Sequence, residues 1–364
     1  MTTLAAPGPA DPDAHPVLAS FVDVVAPWLD PALVDGPALA EIRTVASRLP
    51  GTLSRRIGFE VRLGEEAARA DFLVCVTRAE REALAGAGED TLIGRTSWAP
   101  LRALAEAWAA SPLLDGAVAS LWIELDLAAA ATAEPVPSVF FGLADLLPER
   151  DDPDAWRGVA AHDLATTLAA LEVLSGGPVA PGLRRHLAEC FGALPPGAKV
   201  FQVGAMLSRG TAAVRVCVRR LGPALPAYLA GADWPGDVEA ARPTLEALLA
   251  RAEWVTLDLD VGEDGIRPGL GLECAFDTGV QGEAEWRDFG AHLAVTGLAL
   301  PAKVDALLRW PAVTEAEGGE EALVRAVAHV KLAWRDGTLR DAKGYFGCWR
   351  RPLAWRFLRR RVDR

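Results

Sequence analysis

The stretch Val118–Leu127 reads VASLWIELDL. From Leu121 on, apolar Leu121, Ile123, Leu125 and Leu127 alternate with Trp122, Glu124 and Asp126. A period of two, with one apolar and one polar face, marks a half-buried strand. The pattern recurs three times. Val255, Leu257, Leu259 and Val261 alternate with Thr256, Asp258 and Asp260, and Val214, Val216 and Val218 with Arg215, Cys217 and Arg219. Ile57, Phe59, Val61 and Leu63 alternate with Gly58, Glu60 and Arg62.

Each of these strands has a neighbour across a short gap. The sequence predicts pairing of 55–63 with 71–77, 118–127 with 137–143, 199–207 with 213–221, 253–261 with 269–276, and 328–334 with 342–349. Gly and Asp in gaps such as GEDGIRP (262–268) and RDGTLRD (335–341) are hairpin chemistry. The gaps are too short for a parallel crossover, so the sheet is expected to be antiparallel. Between hairpins the period changes to 3.6. Helices are expected over 100–110, 155–174, 182–191, 223–229, 238–252, 284–298, 301–310 and 320–327. Pro100, Pro223 and Pro301 sit where a helix start tolerates them. The reading is one domain over residues 20–350, a flexible segment over 1–19, and an Arg-rich tail over 351–364.

Ten antiparallel strands with helices between the hairpins admit an open sheet covered on one face, or a closed barrel ringed by helices. In both, the apolar strand face packs on the helices. The other face carries Glu60, Arg62, Trp122, Glu124, Asp126, Gln202, Arg215, Arg219, Asp258, Asp260, Glu273, Lys331, Lys343 and Tyr345, and must meet water. Closure removes both exposed edges, and about ten strands leave a lumen wide enough for a ligand. The expected fold class is α+β: a closed ten-stranded antiparallel β-barrel of five hairpins surrounded by helices.

Of 364 residues, 51% are hydrophobic, enough for a sizeable core and too many for global disorder. The formal charge of −12 argues against a surface built for nucleic acid. The end is the exception: Arg350–Arg364 holds seven Arg and one Asp, and reads as a solvated tail, as one closed over the acidic body, or as one bound to an acidic partner or leader peptide; the interleaved Trp349, Leu353, Trp355, Phe357 and Leu358 argue for docking. No apolar run reaches eighteen residues, so no membrane span is expected. The N-terminus lacks the basic and apolar regions of a secretory signal. Five scattered cysteines, none at metal-ligand spacing, suit a reduced cytoplasm. Walker A, GxGxxG, HExxH, CxxC and GxSxG motifs are missing, so no organic cofactor is expected. Asp151-Asp152-Pro153-Asp154 reads as the acidic start of a helix rather than a metal motif.

Repeated α-β-β-α units forming a ten-stranded antiparallel barrel, polar inside and helical outside, resemble the ABBA-type aromatic prenyltransferases. In that family Arg, Lys and Tyr at alternate lumenal positions hold an allylic diphosphate. The comparable pieces here are Arg215-x-Cys217-x-Arg219, Lys331 and Lys343-x-Tyr345, and the stretch AKGYFG (342–347) is the closest local match. The resemblance implies a transferase of natural-product biosynthesis or peptide modification. Its partners would be a prenyl diphosphate donor and an aromatic small-molecule or peptide acceptor.

On that reading Arg215, Arg219, Lys331, Lys343, Tyr345 and Gln202 bind the diphosphate. Trp122 and Tyr345 shield the allylic cation. Tyr228 and Tyr345 are the only tyrosines, so Trp254, Trp349 and Phe140 are further sources of π-faces. Glu124, a carboxylate beside Trp122, is the catalytic candidate that takes the acceptor's proton. Asp258 and Asp260, two apart on one strand, are the candidate ligands of a Mg²⁺ ion. His329 starts a lumenal strand and is the one histidine to test. The cations have a second reading, as ion pairs: Lys331 with Glu273, and Arg215 or Arg219 with Asp258 or Asp260. Two other functions stay open. One is a non-catalytic barrel that binds an amphipathic ligand or a peptide. The other is a cyclase-like acid–base enzyme using the lumenal carboxylates.

Overall fold

The computed structural model describes residues 17–88, 90–127, 135–146, 148, 152–209, 213–276, 284–315 and 321–352. Most of residues 1–19 and of the Arg-rich tail fall outside these, as do Asp151, Leu353, Trp355, Phe357 and Leu358. The strands are β1 (Arg56–Arg62), β2 (Ala70–Thr77), β3 (Val118–Leu125), β4 (Ser138–Leu143), β5 (Lys199–Ala205) and β6 (Val214–Arg219). They continue with β7 (Trp254–Gly262), β8 (Gly265–Ala275), β9 (Ala312–Glu315), β10 (Glu321–Arg335) and β11 (Thr338–Pro352). All pairings between them are antiparallel. The order runs β11-β1-β2-β3-β4-β5-β6-β7-β8-β10, and β10 pairs back to β11. Ten strands therefore close the barrel, and the short β9 adds an eleventh outside it, on the first part of β10.

Leu121, Ile123, Leu257 and Leu259 are fully buried, as the alternation requires. They belong to one continuous core between the barrel wall and the helices. Eleven α-helices occur among the described residues. The helices expected from the 3.6 period appear as α4 (Ala99–Ala110), α6 (Pro153–Ser175), α7 (Pro181–Gly192), α8 (Leu225–Gly231), α9 (Val238–Leu249), α10 (Ala284–Val295) and α11 (Pro301–Arg309). Four others were not expected: α1 (Ala19–Val25), α2 (Gly36–Ala46), α3 (Arg81–Ala85) and α5 (Pro112–Ala117). The Asp152 side chain accepts from Ala155 N and caps α6, with Pro153 and Asp154 in its first turn. That is the helix-start chemistry read for this acidic run. No helix among the described residues is long and apolar enough to cross a membrane.

The helix expected over 320–327 is a correction. Described from Glu321, this segment is the first half of β10, held between β9 and β11. Ala322, Leu323, Val324 and Ala326 are buried there, because one face meets the helices and the other the lumen. An apolar run buried on both faces carries no strand period and mimics a helix. The last hairpin is also longer than its sequence gap. Arg335 pairs with Thr338, and the two-residue turn is Asp336-Gly337, with φ of 50° and 80°. Both signs are those of a type I′ turn, which Asp-Gly favours. A bulge between Val327 and His329 resets the phase of β10. Arg325 consequently points outward onto Trp28 and Trp310, whereas His329 and Lys331 point inward.

Candidate active site

The lumen is divided into levels. An upper chamber of about 780 Å³ takes in Arg56, Trp122, Phe140, Gln202, Trp254 and Trp349, with Glu124, Glu273, His329, Lys331 and Tyr345 at its floor. A second chamber of about 800 Å³ opens at the other end, bordered by Arg62, Asp71, Asp126, Arg209, Arg335 and Lys343. Glu60, Arg215, Asp258 and Asp260 line neither chamber and fill the level between. Strand register explains the split. On β1 the inward residues descend from Arg56 through Gly58 and Glu60 to Arg62, and on β11 from Trp349 through Gly347 and Tyr345 to Lys343.

The predicted diphosphate residues are brought into the lumen and matched with acids. Lys331 pairs with Asp258 and lies 3.8 Å from Glu273. Lys343 pairs with Glu60, which also accepts the Tyr345 hydroxyl. Arg215 donates twice to Asp260, at 2.8 and 3.1 Å. Arg219 reaches Asp145 near the upper mouth at 2.6 Å, and Arg220 shares that acid. Lys331 and Lys343 are direct cross-strand partners, yet each turns to its own carboxylate. Gln202 lines the upper chamber opposite Cys217.

Two glycines make this packing fit. Gly271 separates Asp258 from Lys331, and a Cβ there would lie 2.9 Å from atoms of both. Phe140 lies flat over Gly204, its cross-strand partner, where a Cβ would come 2.2 Å from the ring.

Electrostatics sort four carboxyls of this layer. Burial alone would raise Glu60, but the Lys343 charge and the bonds from Lys343 and Tyr345 outweigh it and hold its pKa at about 2. Asp258 is also lowered: Lys331 and Arg215 overcome its burial. Glu124 has no such partner. Burial, then the Glu60 charge, raises it to about 7. Burial and the Asp258 charge raise Glu273 to about 8. His329, stacked on Tyr345 with ring centres 4.3 Å apart, is pushed down to about 4 by burial and by Lys331. Near neutral pH the floor thus presents a largely protonated Glu273, a half-ionised Glu124 and a neutral imidazole.

The Mg²⁺ candidates Asp258 and Asp260 are taken up by Lys331 and Arg215. Among the described residues no group of three or more His, Cys, Asp or Glu is placed to hold a metal. Asp126, expected in the same lumenal set, lies at the lower chamber, accepts from Ser208 and pairs with Arg209. Arg62 also sits at that end, 3.5 Å from Glu65. Sequence reading passed over Arg56, which stands between the rings of Trp122 and Trp349. Its signal was present: Arg56 is two residues before Gly58, in the phase of the inward face. No protein-family model matches the chain, and no curated protein matches it.

Proposed function

We propose that the protein is a prenyltransferase-like enzyme that moves a prenyl group from an allylic diphosphate to an aromatic or peptide acceptor inside the barrel. The upper chamber carries this reading: about 780 Å³ within a ten-stranded antiparallel barrel, walled by Trp122, Phe140 and Trp349 and floored by ionisable groups. In the reaction the allylic C–O bond breaks and the diphosphate leaves. Positive charge spreads over the allyl group, where indole and phenol faces attract it. A bond then forms to an acceptor ring carbon, and the ring proton passes to Glu124. A pKa near 7 suits a base working at neutral pH. Protonated Glu273 adds an O–H donor to the floor. Trp122 and Tyr345 keep the shielding role. Arg215, Lys331 and Lys343 serve here by holding the floor neutral, and would reach a diphosphate only by exchanging acid partners. The five buried, free thiols fit a reducing, cytoplasmic setting.

The test is incubation with dimethylallyl, geranyl and farnesyl diphosphate, with and without Mg²⁺, in the presence of indole and a Trp-containing peptide. Released diphosphate and an acceptor heavier by one prenyl unit are expected. A folded protein that consumes none of the donors would count against the assignment.

A second reading is favoured by the matched cations and the two high-pKa carboxyls: a cyclase-like acid–base enzyme acting on a terpenoid or cationic substrate. Glu273 would donate a proton and Glu124 remove one. Cyclised or hydrated product without diphosphate release, in the same incubations, would select it.

A further inference from the structure

Arg215, Arg219, Lys331 and Lys343 each have an acid partner. Arg56 lines the same lumen, and no carboxylate pairs with it among the described residues. Its guanidinium carbon lies 4.8 Å from the ring centre of Trp122 and 5.1 Å from that of Trp349. A guanidinium held by its faces keeps its N–H edge free, and that edge matches the oxygens of a carboxylate or phosphate. Burial already lowers its pKa, so a counter-ion would relieve a standing cost.

The surroundings agree. Trp349 Nε1 and Arg219 Nε, on residues of the same chamber, are buried donors without a hydrogen-bond partner. The next inward pair below Arg56 and Trp349 is Gly58 and Gly347. A Cβ on Gly347 would lie 2.5 Å from the Ile57 carbonyl oxygen, so the wall there stays bare backbone. Of the acids that line the chamber, Glu124 and Glu273 belong to the floor, and exposed Glu253, just before the start of β7, to the mouth.

We propose that Arg56, clamped between Trp122 and Trp349, is the oxyanion-binding residue of the upper chamber. The ligand carries a carboxylate or phosphate at that end and an aromatic or hydrocarbon body toward the floor. This holds whether or not prenyl transfer is the reaction, because a donor's diphosphate and an acceptor's carboxylate present the same oxygens.

Calorimetry and tryptophan fluorescence with three probes test it: inorganic diphosphate, geranyl diphosphate and N-acetyltryptophan. The proteins are wild type, Arg56→Gln, Arg56→Lys and, as a charge control at the other mouth, Arg335→Gln. At least one probe should bind wild type and lose about ten- to a hundredfold in affinity in Arg56→Gln. Arg56→Lys should lose less, and Arg335→Gln nothing. Melting curves establish that each variant is folded; should Arg56→Gln fail to fold, the drop in Arg56→Lys carries the comparison. Binding of the diphosphates alone assigns the donor's tail. Binding of N-acetyltryptophan alone keeps the anion site and removes prenyl transfer. No binding of any probe at millimolar concentration, or equal affinity in wild type and both Arg56 variants, overturns the proposal. So does an equal loss in Arg335→Gln.

Discussion

Replacing Glu273 by Gln is expected to stabilise the protein, increasingly so as pH rises from about 5 to about 8.5. Its side chain is 14% exposed, near Asp258 and 3.8 Å from Lys331. Burial and the Asp258 charge raise the carboxyl from 4.5 to about 8. In the unfolded chain it returns to about 4.3. Between these values the folded protein keeps a proton that the unfolded chain has released. Stability therefore falls as pH rises through that window and levels off above the folded pKa. Fully realised, such a shift is worth about 5 kcal/mol. Water in the chamber and the linked Lys331–Asp258 pair reduce this, so a loss of about 2–3 kcal/mol from about pH 5 to about pH 8.5 is expected. Gln keeps the shape of the neutral acid and never ionises. The variant should match wild type near pH 5 and exceed it by about 2–3 kcal/mol near pH 8.5. Urea unfolding followed by tryptophan fluorescence at both ends of this range reads the difference. A variant equally stable to wild type at both pH values, or weaker at the alkaline one, refutes the assignment of a protonated floor.

Glu124→Gln should leave ligand affinity nearly unchanged and abolish most turnover. With Glu124 as base, the wild-type rate should climb about tenfold per pH unit below its pKa of about 7 and level above it, whereas an acid role reverses that slope. Lys343→Met strands the buried Glu60 with Tyr345 alone and should cost about 2–4 kcal/mol at neutral pH, most of it recovered in the double variant with Glu60→Gln, as read by denaturant midpoints. Gly204→Ala drives a Cβ into the Phe140 ring and should cost about 1–3 kcal/mol. Because Phe140 ring atoms are what the new Cβ meets, the double variant Gly204→Ala with Phe140→Leu should regain part of that stability on thermal melts.

The barrel was legible because its wall is two-faced. Leu121 to Leu127 and Val255 to Val261 have water on one side and helices on the other, and that asymmetry writes itself into the sequence as alternation. Glu321 to Val327 lacks it, since its inward positions hold the buried, apolar Ala322, Val324 and Ala326 while its outward face carries Arg325. Residues aimed into the lumen were legible for the same reason as the wall, by phase. Their partners were not. Lys331 and Asp258 lie on strands separated by β8, and they meet because Gly271 offers no side chain between them. Arg219 finds Asp145, beyond the end of β4, and no strand pattern points there. Arg56 fell one step outside the stretch whose alternation was read, although its phase is correct.

The charge count of the middle level explains why Glu124 and Glu273 differ from their neighbours. Three cations, Arg215, Lys331 and Lys343, are paired with three carboxylates, Asp260, Asp258 and Glu60. A fourth and fifth negative charge would have no counter-ion in a buried layer, so those two carboxyls keep their protons to higher pH. The same count limits what the floor accepts. A cationic centre arriving there would ionise Glu124 or Glu273 and be held by it. An anion would meet O–H donors and no spare positive charge. A ligand with an anionic end and a carbon skeleton that becomes positive during reaction is therefore oriented by charge alone, its anion toward Arg56 and its developing cation toward the floor. In the proposed reaction that orientation separates the leaving diphosphate from Glu124, so base and oxyanion do not compete for the same side chains.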